Sequence, residues 1–369
     1  MSARRPRLHM PQIIEPTAQA WDRLPSWGKW AGRGLALLLA IIAPAPFIGQ
    51  IMAPDSDWAS VLFYPIAIYV LLALGLNVVV GQAGLLDLGY VAFFAIGAYT
   101  MALLGTRLGW SFWVILPCAI GASAASGLIL GTPTLRLRGD YLAIVTLGFG
   151  EIVRITAVNT EELGGPRGIA GIPHPPSVEG FDALKFGVID PKPYYYLTLA
   201  LIVLVIIMIR RLEASRIGRG WVAIREDEDA AEAMGVPTFR YKLWAFAIGA
   251  SIGGATGTVF ASKVIAIVPD NFPFILSVLI LCAVVLGGSG NLPGVILGAF
   301  MIAWLPERFR GFAEYRVLIF GAALVAIMIF RPEGLLPSRQ RRAEMESGGG
   351  GMGSLGAEVT ETGESKVDA

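Results

Sequence analysis

The sequence predicts an all-α integral membrane protein of about ten transmembrane helices. Three observations predict it. Hydrophobic residues are 55% of the 369, with 45 glycines beside them, and charged residues are only 15%, against roughly 25% in soluble domains. Mean hydropathy is +0.64, and a soluble globule of this size could not hide so much apolar side chain. The apolar residues fall into runs near the ~20, or shorter ~17, residues that a spanning helix needs, and Lys and Arg gather in a few of the connections between them.

Residues 1–33 form a polar, basic segment containing Arg4, Arg5, Arg7, Arg23, Lys29 and Arg33. Trp21, Leu24, Trp27 and Trp30 recur every three residues, as in a short interfacial helix. Pro25 opposes a regular helix, and a floppy tail fits equally. The first apolar run is Gly34–Ala53. Leu35–Ile42 followed by Ala43-Pro44-Ala45 imitates a signal peptide with its cleavage site. The long polar leader and the continuing residues Phe47–Met52 favour a retained span. Further runs lie at about 58–80, 88–106, 111–131, 141–158, 194–209, 241–262, 274–288, 292–306 and 315–330. The division around Gly287–Pro293 is the least sharp. Residues 34–337 thus form the transmembrane domain. From about Ser338 to Ala369 the chain is rich in Gly, Ser and Glu and reads as a disordered tail.

Orientation follows from Lys and Arg in short connections. Asp55 and Asp57 occupy a connection without either. Arg136 and Arg138 precede the 141–158 run, and seven basic residues from Arg210 to Lys242 fill the next long connection but one. Arg331, Arg339, Arg341 and Arg342 close the chain. Ten spans put every strongly basic segment on one side, so both termini are expected in the cytoplasm of a cell whose plasma membrane holds the chain. Tyr194-Tyr195-Tyr196 marks an outer interface and Arg210-Arg211 the inner one.

The composition also excludes. A net charge of +1 does not suggest nucleic acid. His9 and His174 lie far apart in polar segments, so no metal site is expected. Cys118 and Cys282 sit in apolar runs and read as small buried hydrophobes. There is no G-x-x-x-x-G-K-[ST] loop: Gly287-Gly288-Ser289-Gly290-Asn291 lacks the lysine. The chain is not expected to bind ATP by that route, to carry a cofactor or to be an enzyme. Energy must come from a partner or an ion gradient.

Three groups of residues carry the functional argument. The first is the cytoplasmic connection 211–240, too long for a tight turn. Trp221, Val222 and Ile224 make an apolar patch, Arg225–Asp229 a dense polar run, and Ala230, Ala231, Ala233 and Met234 a short helix. Asp227 or Asp229 is the expected N-cap, and Gly235 with Pro237 the stop. Small alanines would let another protein approach, with Arg219, Trp221, Ala223, Arg225, Glu228, Ala231 and Gly235 as the candidate coupling residues. A solvated loop on lipid headgroups fits equally well from physics alone.

The second group is two broken apolar runs. Gly81, Gly84 and Gly89 interrupt one together with Gln82 and Asp87. Gly287, Gly288, Gly290 and Gly294 interrupt the other together with Pro293. Paired Gly/Pro breaks in two halves point to a transport pathway, and close helix packing through small residues is the plainer alternative. Gly89 to Gly97 and Gly290 to Gly298 share a spacing, a faint sign of duplication. The third group is Glu151 and Arg154, one helical turn apart. Glu151 lies eleven residues, or ~16 Å, beyond Asp140, so the pair is expected near mid-membrane and facing the bundle interior, as structural glue or as a pathway group. Asn77 and Asp87 are weaker candidates of that kind. Gly164–Pro173 reads as an outer loop, either a turn or a cap on the pathway.

The 215–237 segment, with Lys242-Leu243-Trp244-Ala245-Phe246-Ala247 and the small-residue run Gly249–Gly257, resembles the ATPase-contacting region of permease subunits in branched-chain amino acid ABC importers (the LivH/LivM family, LivM type). Gly81-Gln82-Ala83-Gly84-Leu85-Leu86-Asp87-Leu88-Gly89, Leu135–Tyr141, Thr146-Leu147-Gly148-Phe149-Gly150-Glu151-Ile152, Gly164–Pro173, Val285–Gly290 and Phe330-Arg331-Pro332-Glu333-Gly334-Leu335 resemble the same family in the same order. The resemblance covers roughly 35–337. It implies the permease architecture and a pathway-forming subunit of the bacterial inner membrane without its own ATPase. The implied partners are a homologous permease, two P-loop ATPases and an external solute-binding protein. It implies a small polar solute, a branched-chain amino acid first; urea and short amides have similar permeases. Outside the family, an ion-gradient transporter using Glu151 and Asp87, or a passive channel, are the rivals.

Overall fold

The computed structural model describes residues 57–135, 140–177 and 190–308, with isolated positions 37, 38, 40–44, 49, 186, 187, 321, 325, 335 and 336. The basic leader, Arg136 and Arg138, the tail and most of the predicted spans 34–53 and 315–330 lie outside the described residues.

The described chain is helical. Spans α1 (Trp58–Gln82), α2 (Val91–Leu108), α3 (Phe112–Thr134) and α4 (Asp140–Asn159) come first. Span α5 (Lys192–Glu213) leads into two short helices, α6 (Arg216–Glu226) and α7 (Glu228–Ala233). Then follow α8 (Thr238–Val264), α9 (Phe274–Gly287) and α10 (Leu292–Arg308). Among the described residues, seven helices are long and apolar enough to cross a membrane, the α9 one counted with its lead-in from Pro269. Helix α10 adds 17 residues. The unsharp division is a real break: Gly288 and Gly290 turn the chain at φ 104 and 84 between α9 and α10.

The core is α1 and α8, each with 78% of its apolar window buried, while α4 has 22%. Small residues let α8 sit at the centre. A Cβ on Gly97 of α2 would meet the Gly254 carbonyl at 2.1 Å, and one on Gly257 the Phe94 carbonyl at 2.1 Å. Backbones approach where side chains are absent, which is how helices associate when lipid supplies no hydrophobic drive. Tyr90 closes the centre by donating to the Gly249 carbonyl at 2.9 Å. Helices α3, α4 and α5 are peripheral, with Ile129, Ile144, Ile152, Leu204 and Ile207 facing outward. Cys118 also faces outward on α3, which corrects its reading as a buried hydrophobe. In lipid an apolar residue is stable on either side of a helix, so its apolar neighbours do not reveal its burial.

The two ends of the bundle differ. At one end, α6 and α7 lie under the carboxyl ends of α1, α5 and α9 and the amino end of α8. At the other, Ile169–Ala170 pairs antiparallel with Ala266–Ile267, Gly105 lies against Pro173, and Arg107 donates to the Glu162 carbonyl at 2.5 Å. The Gly164–Pro173 segment is therefore an ordered cap on that end. Gly168, at φ 70, has no room for a Cβ against the Ile267 carbonyl.

Candidate coupling and pathway site

Helix α6 begins at Ser215, whose side chain accepts from the Gly218 N–H. It ends at Asp227, whose extended backbone breaks the helix and whose carboxylate accepts from the Ala230 N–H at 2.9 Å to start α7. Of the two expected N-caps, Asp227 is the one used. Gly235 turns left-handed at φ 83 and Pro237 precedes α8. The connection is two capped helices where the sequence suggests one.

Three contacts rivet this module to the spans. Trp221 is fully buried and donates from Nε1 to the Tyr241 carbonyl at 2.7 Å. The Glu228 carboxylate pairs with Lys242 Nζ at 2.5 Å, the lysine being almost wholly enclosed. Arg225 reaches inward, and its Nη1 donates to the Gly81 carbonyl at 2.6 Å.

Arg225 stands where both broken runs meet. The Gly290 N–H donates to Asn77 Oδ1 at 2.9 Å. A Cβ on Gly81 would meet that oxygen at 2.0 Å and the Gly290 nitrogen at 2.6 Å. A Cβ on Gly290 would meet Arg225 Nη1 at 2.9 Å, and one on Gly84 the Arg225 stem at the same distance. Gln82 donates to the Glu213 carboxylate at 2.8 Å, joining the end of α1 to the end of α5. Asn77, Gln82, Gly288 and Gly290 thus share one neighbourhood with Arg225. Asn77 Nδ2 and Gln82 Oε1 are buried without a partner.

A model of the family described as "Branched-chain amino acid transport system / permease component" matches residues 59–328. The chain belongs to that permease family. It is 46% identical over 299 residues to the high-affinity branched-chain amino acid transport system permease protein LivM of Salmonella typhimurium, covering 76% of this chain and 70% of that protein, and LivM of Escherichia coli K12 gives the same figures. A probable LivM of Methanocaldococcus jannaschii is 24% identical over 77% of this chain and 94% of its own length. LivH of Escherichia coli K12 is 27% identical over 124 residues, 33% of this chain and 40% of that protein. No solved structure matches. These relatives are transport permease proteins, not enzymes.

The permease places its other candidate residues apart from Arg225. Asp87 is fully buried in the 83–90 turn between α1 and α2, where one carboxylate oxygen accepts from the Gly89 N–H at 2.9 Å and the other has no partner. The Leu88 N–H donates to Thr146 Oγ1 at 3.0 Å. Thr146 lies six residues into α4, ~9 Å along it, so this turn runs at membrane depth. Irregular backbone there is tolerable only inside protein.

Glu151 accepts from Arg154 Nε at 3.0 and 3.2 Å through its two oxygens and also pairs with Nη2. Arg154 Nη1 lies 3.6 Å from Asp270. The pair sits on the flank of α4 with side chains 37% and 29% exposed, which differs from the enclosed position expected. Pairing along one helix turn neutralises the charges without enclosure by the rest of the chain.

On the coupling module, Trp221, Ala231, Arg225 and Glu228 point toward the spans, while Arg219 and Gly235 are exposed and Ala223 is half-buried. The outward face of α7 instead carries Glu226, Asp227, Asp229, Ala230, Glu232, Ala233 and Met234, the last 86% exposed. Sequence reasoning missed Lys242, Glu213 and Thr146 as parts of the site. The first two looked like ordinary end-of-span charges, and Thr146 like one polar residue in an apolar run.

Proposed function

We propose that this permease is the pathway-forming subunit of an ATP-driven importer of branched-chain amino acids, coupled through α6 and α7 to separate ATPases. Its partners are a homologous permease, two P-loop ATPases and an external solute-binding protein. It lies in the bacterial inner membrane with the α6–α7 end, and both termini, in the cytoplasm. The single observation that carries the coupling is Arg225. One side chain of a cytoplasmic helix holds the Gly81 carbonyl and lies against Gly290, so motion of α6 bears on both broken runs at once.

The mechanism is alternating access. The ATPases bind the two states with different affinity and so shift the equilibrium between them. Docking on the exposed α7 face moves α6, and the Arg225 contact passes the movement to the α1–α2 and α9–α10 breaks, whose glycines permit rearrangement. Candidate pathway groups are Asn77, Gln82, Asp87, Glu151, Arg154, Gly288 and Gly290.

Gentle purification from native membranes, followed by mass spectrometry, tests the assembly. Recovery of a P-loop ATPase and a second permease in near-stoichiometric amounts supports it. Recovery of this chain alone, intact, points instead to a gradient-driven transporter. Arg225→Met tests the coupling: the assembled importer should still bind its ATPases and lose about tenfold or more in uptake, as removal of a charge-assisted hydrogen bond worth ~1.5–3 kcal/mol allows.

A further inference from the structure

Beside Glu151 lies a narrow recess of about 180 Å³, its open mouth included, lined by Leu88, Val91, Leu147, Gly150, Phe272 and Phe274. Leu147, Gly150, Glu151 and Arg154 fall at i, i+3, i+4 and i+7, one face of α4. The recess therefore joins an apolar slot to an anion and a cation along a single helical stripe. We infer that this stripe is a transient binding site for a zwitterionic α-amino acid with a small aliphatic side chain. Arg154 takes the α-carboxylate, Glu151 the α-ammonium, and the recess the side chain. The inference rests on the importer reading above and names the residues that would meet the solute.

The charge arithmetic selects the solute class. Opening the Glu151–Arg154 pair for an anion alone, or a cation alone, strands one charge, a loss that is severe away from water. A neutral solute gives neither charge a partner. A zwitterion replaces one ion pair with two. Recess size selects the side chain: 180 Å³ equals the share of about six waters, ample for a branched four-carbon group and tight for an aromatic ring with its rim. The site is reachable, because both charged side chains are partly exposed. A charged group facing hydrocarbon costs at least ~2.5 kcal/mol, so this flank of α4 suits a polar path better than lipid.

The test uses the complete importer, with its partner permease, ATPases and binding protein, in proteoliposomes supplied with ATP and radiolabelled L-leucine. Three variants are compared: Glu151→Gln, Arg154→Gln, and the exchanged pair Glu151→Arg with Arg154→Glu. Co-purification of the partners is the assembly control. The expected result is about a tenfold or greater loss of leucine uptake in all three, corresponding to ~1.4 kcal/mol or more, with assembly intact. The exchanged pair is decisive. It restores an ion pair but puts the ammonium-seeking group on the wrong side of the recess. Uptake recovering to the unmodified level in that variant would show the pair to be an internal brace and overturn the inference. Loss of assembly in all three would overturn it too, by assigning the pair to packing. An unmodified importer that shows no ATP-dependent leucine uptake sinks the importer reading first, and the inference with it.

Discussion

Glycine at position 97 has no alternative, because a methyl group there would press into the Gly254 carbonyl of α8. Gly148 on α4 would meet nothing within 4 Å. Gly97→Ala is therefore expected to destabilise by about 1–3 kcal/mol through overpacking, and Gly148→Ala to be neutral or to stabilise by up to ~1 kcal/mol; thermal unfolding of the purified protein in detergent compares them. Equal shifts would mean that α2 and α8 are not in contact. The Glu228–Lys242 pair makes an asymmetric prediction. Lys242 is more enclosed than Glu228, so Glu228→Gln leaves an ammonium buried without its partner, while Lys242→Met leaves a carboxylate that can still reach water. The first should cost about 1–3 kcal/mol, below the ~3–5 kcal/mol of a fully buried pair, and the second less. The same unfolding measurement ranks them, and the reverse order would show the lysine to be solvated.

At the scale of elements, α6 and α7 divide their labour. Helix α6 is anchored from within by Trp221 and Arg225, and α7 offers its outer face. Substitution of Ala231, which is buried, by arginine should disturb the fold of the module. Met234→Glu, on the exposed end of α7, should leave folding unchanged and weaken ATPase binding by about tenfold, the loss typical of a central apolar contact. Pull-down of the ATPase with each variant separates the two effects. Unchanged capture by Met234→Glu would move the docking surface off α7. The two breaks in the spans also differ from plain packing. The Gly287–Gly294 and Gly298–Ala283 approaches are close packing of α9 on α10, as the simpler reading of those glycines holds. Gly81, Gly84 and Gly290 instead gather around Arg225.

Across the whole molecule, the outward faces of α3 and α5 are apolar and suit lipid, while α4 alone among the three carries an ion pair on its partly exposed flank. That asymmetry gives the bundle a side on which a second permease can complete a pathway. An importer driven through α6 and α7 should keep its uptake when the proton and sodium gradients are collapsed at constant ATP. Uptake that falls with the gradient would instead assign coupling to Glu151 or Asp87.

What the sequence determined by itself is the class of molecule and its order of elements. Composition sets lipid as the solvent, and run lengths place each described span within a few residues of its final bounds, because a spanning helix satisfies its own backbone. The coupling connection, with Arg225 and Glu228 among its candidates, and the two Gly-rich breaks were legible for the same local reason: charge and glycine in apolar surroundings stand out. Which face each helix buries was not legible. In lipid the outward and inward faces are both apolar, so Cys118 and the α4 flank carry no periodic signal of their side. Only the tertiary structure decided that Arg225 grips Gly81 across 144 residues of sequence, that Asn77 holds Gly290, and that Glu151 stands beside an apolar recess. Those contacts run between a side chain and a backbone group, or between helices brought together by missing side chains, and neither leaves a pattern along the chain.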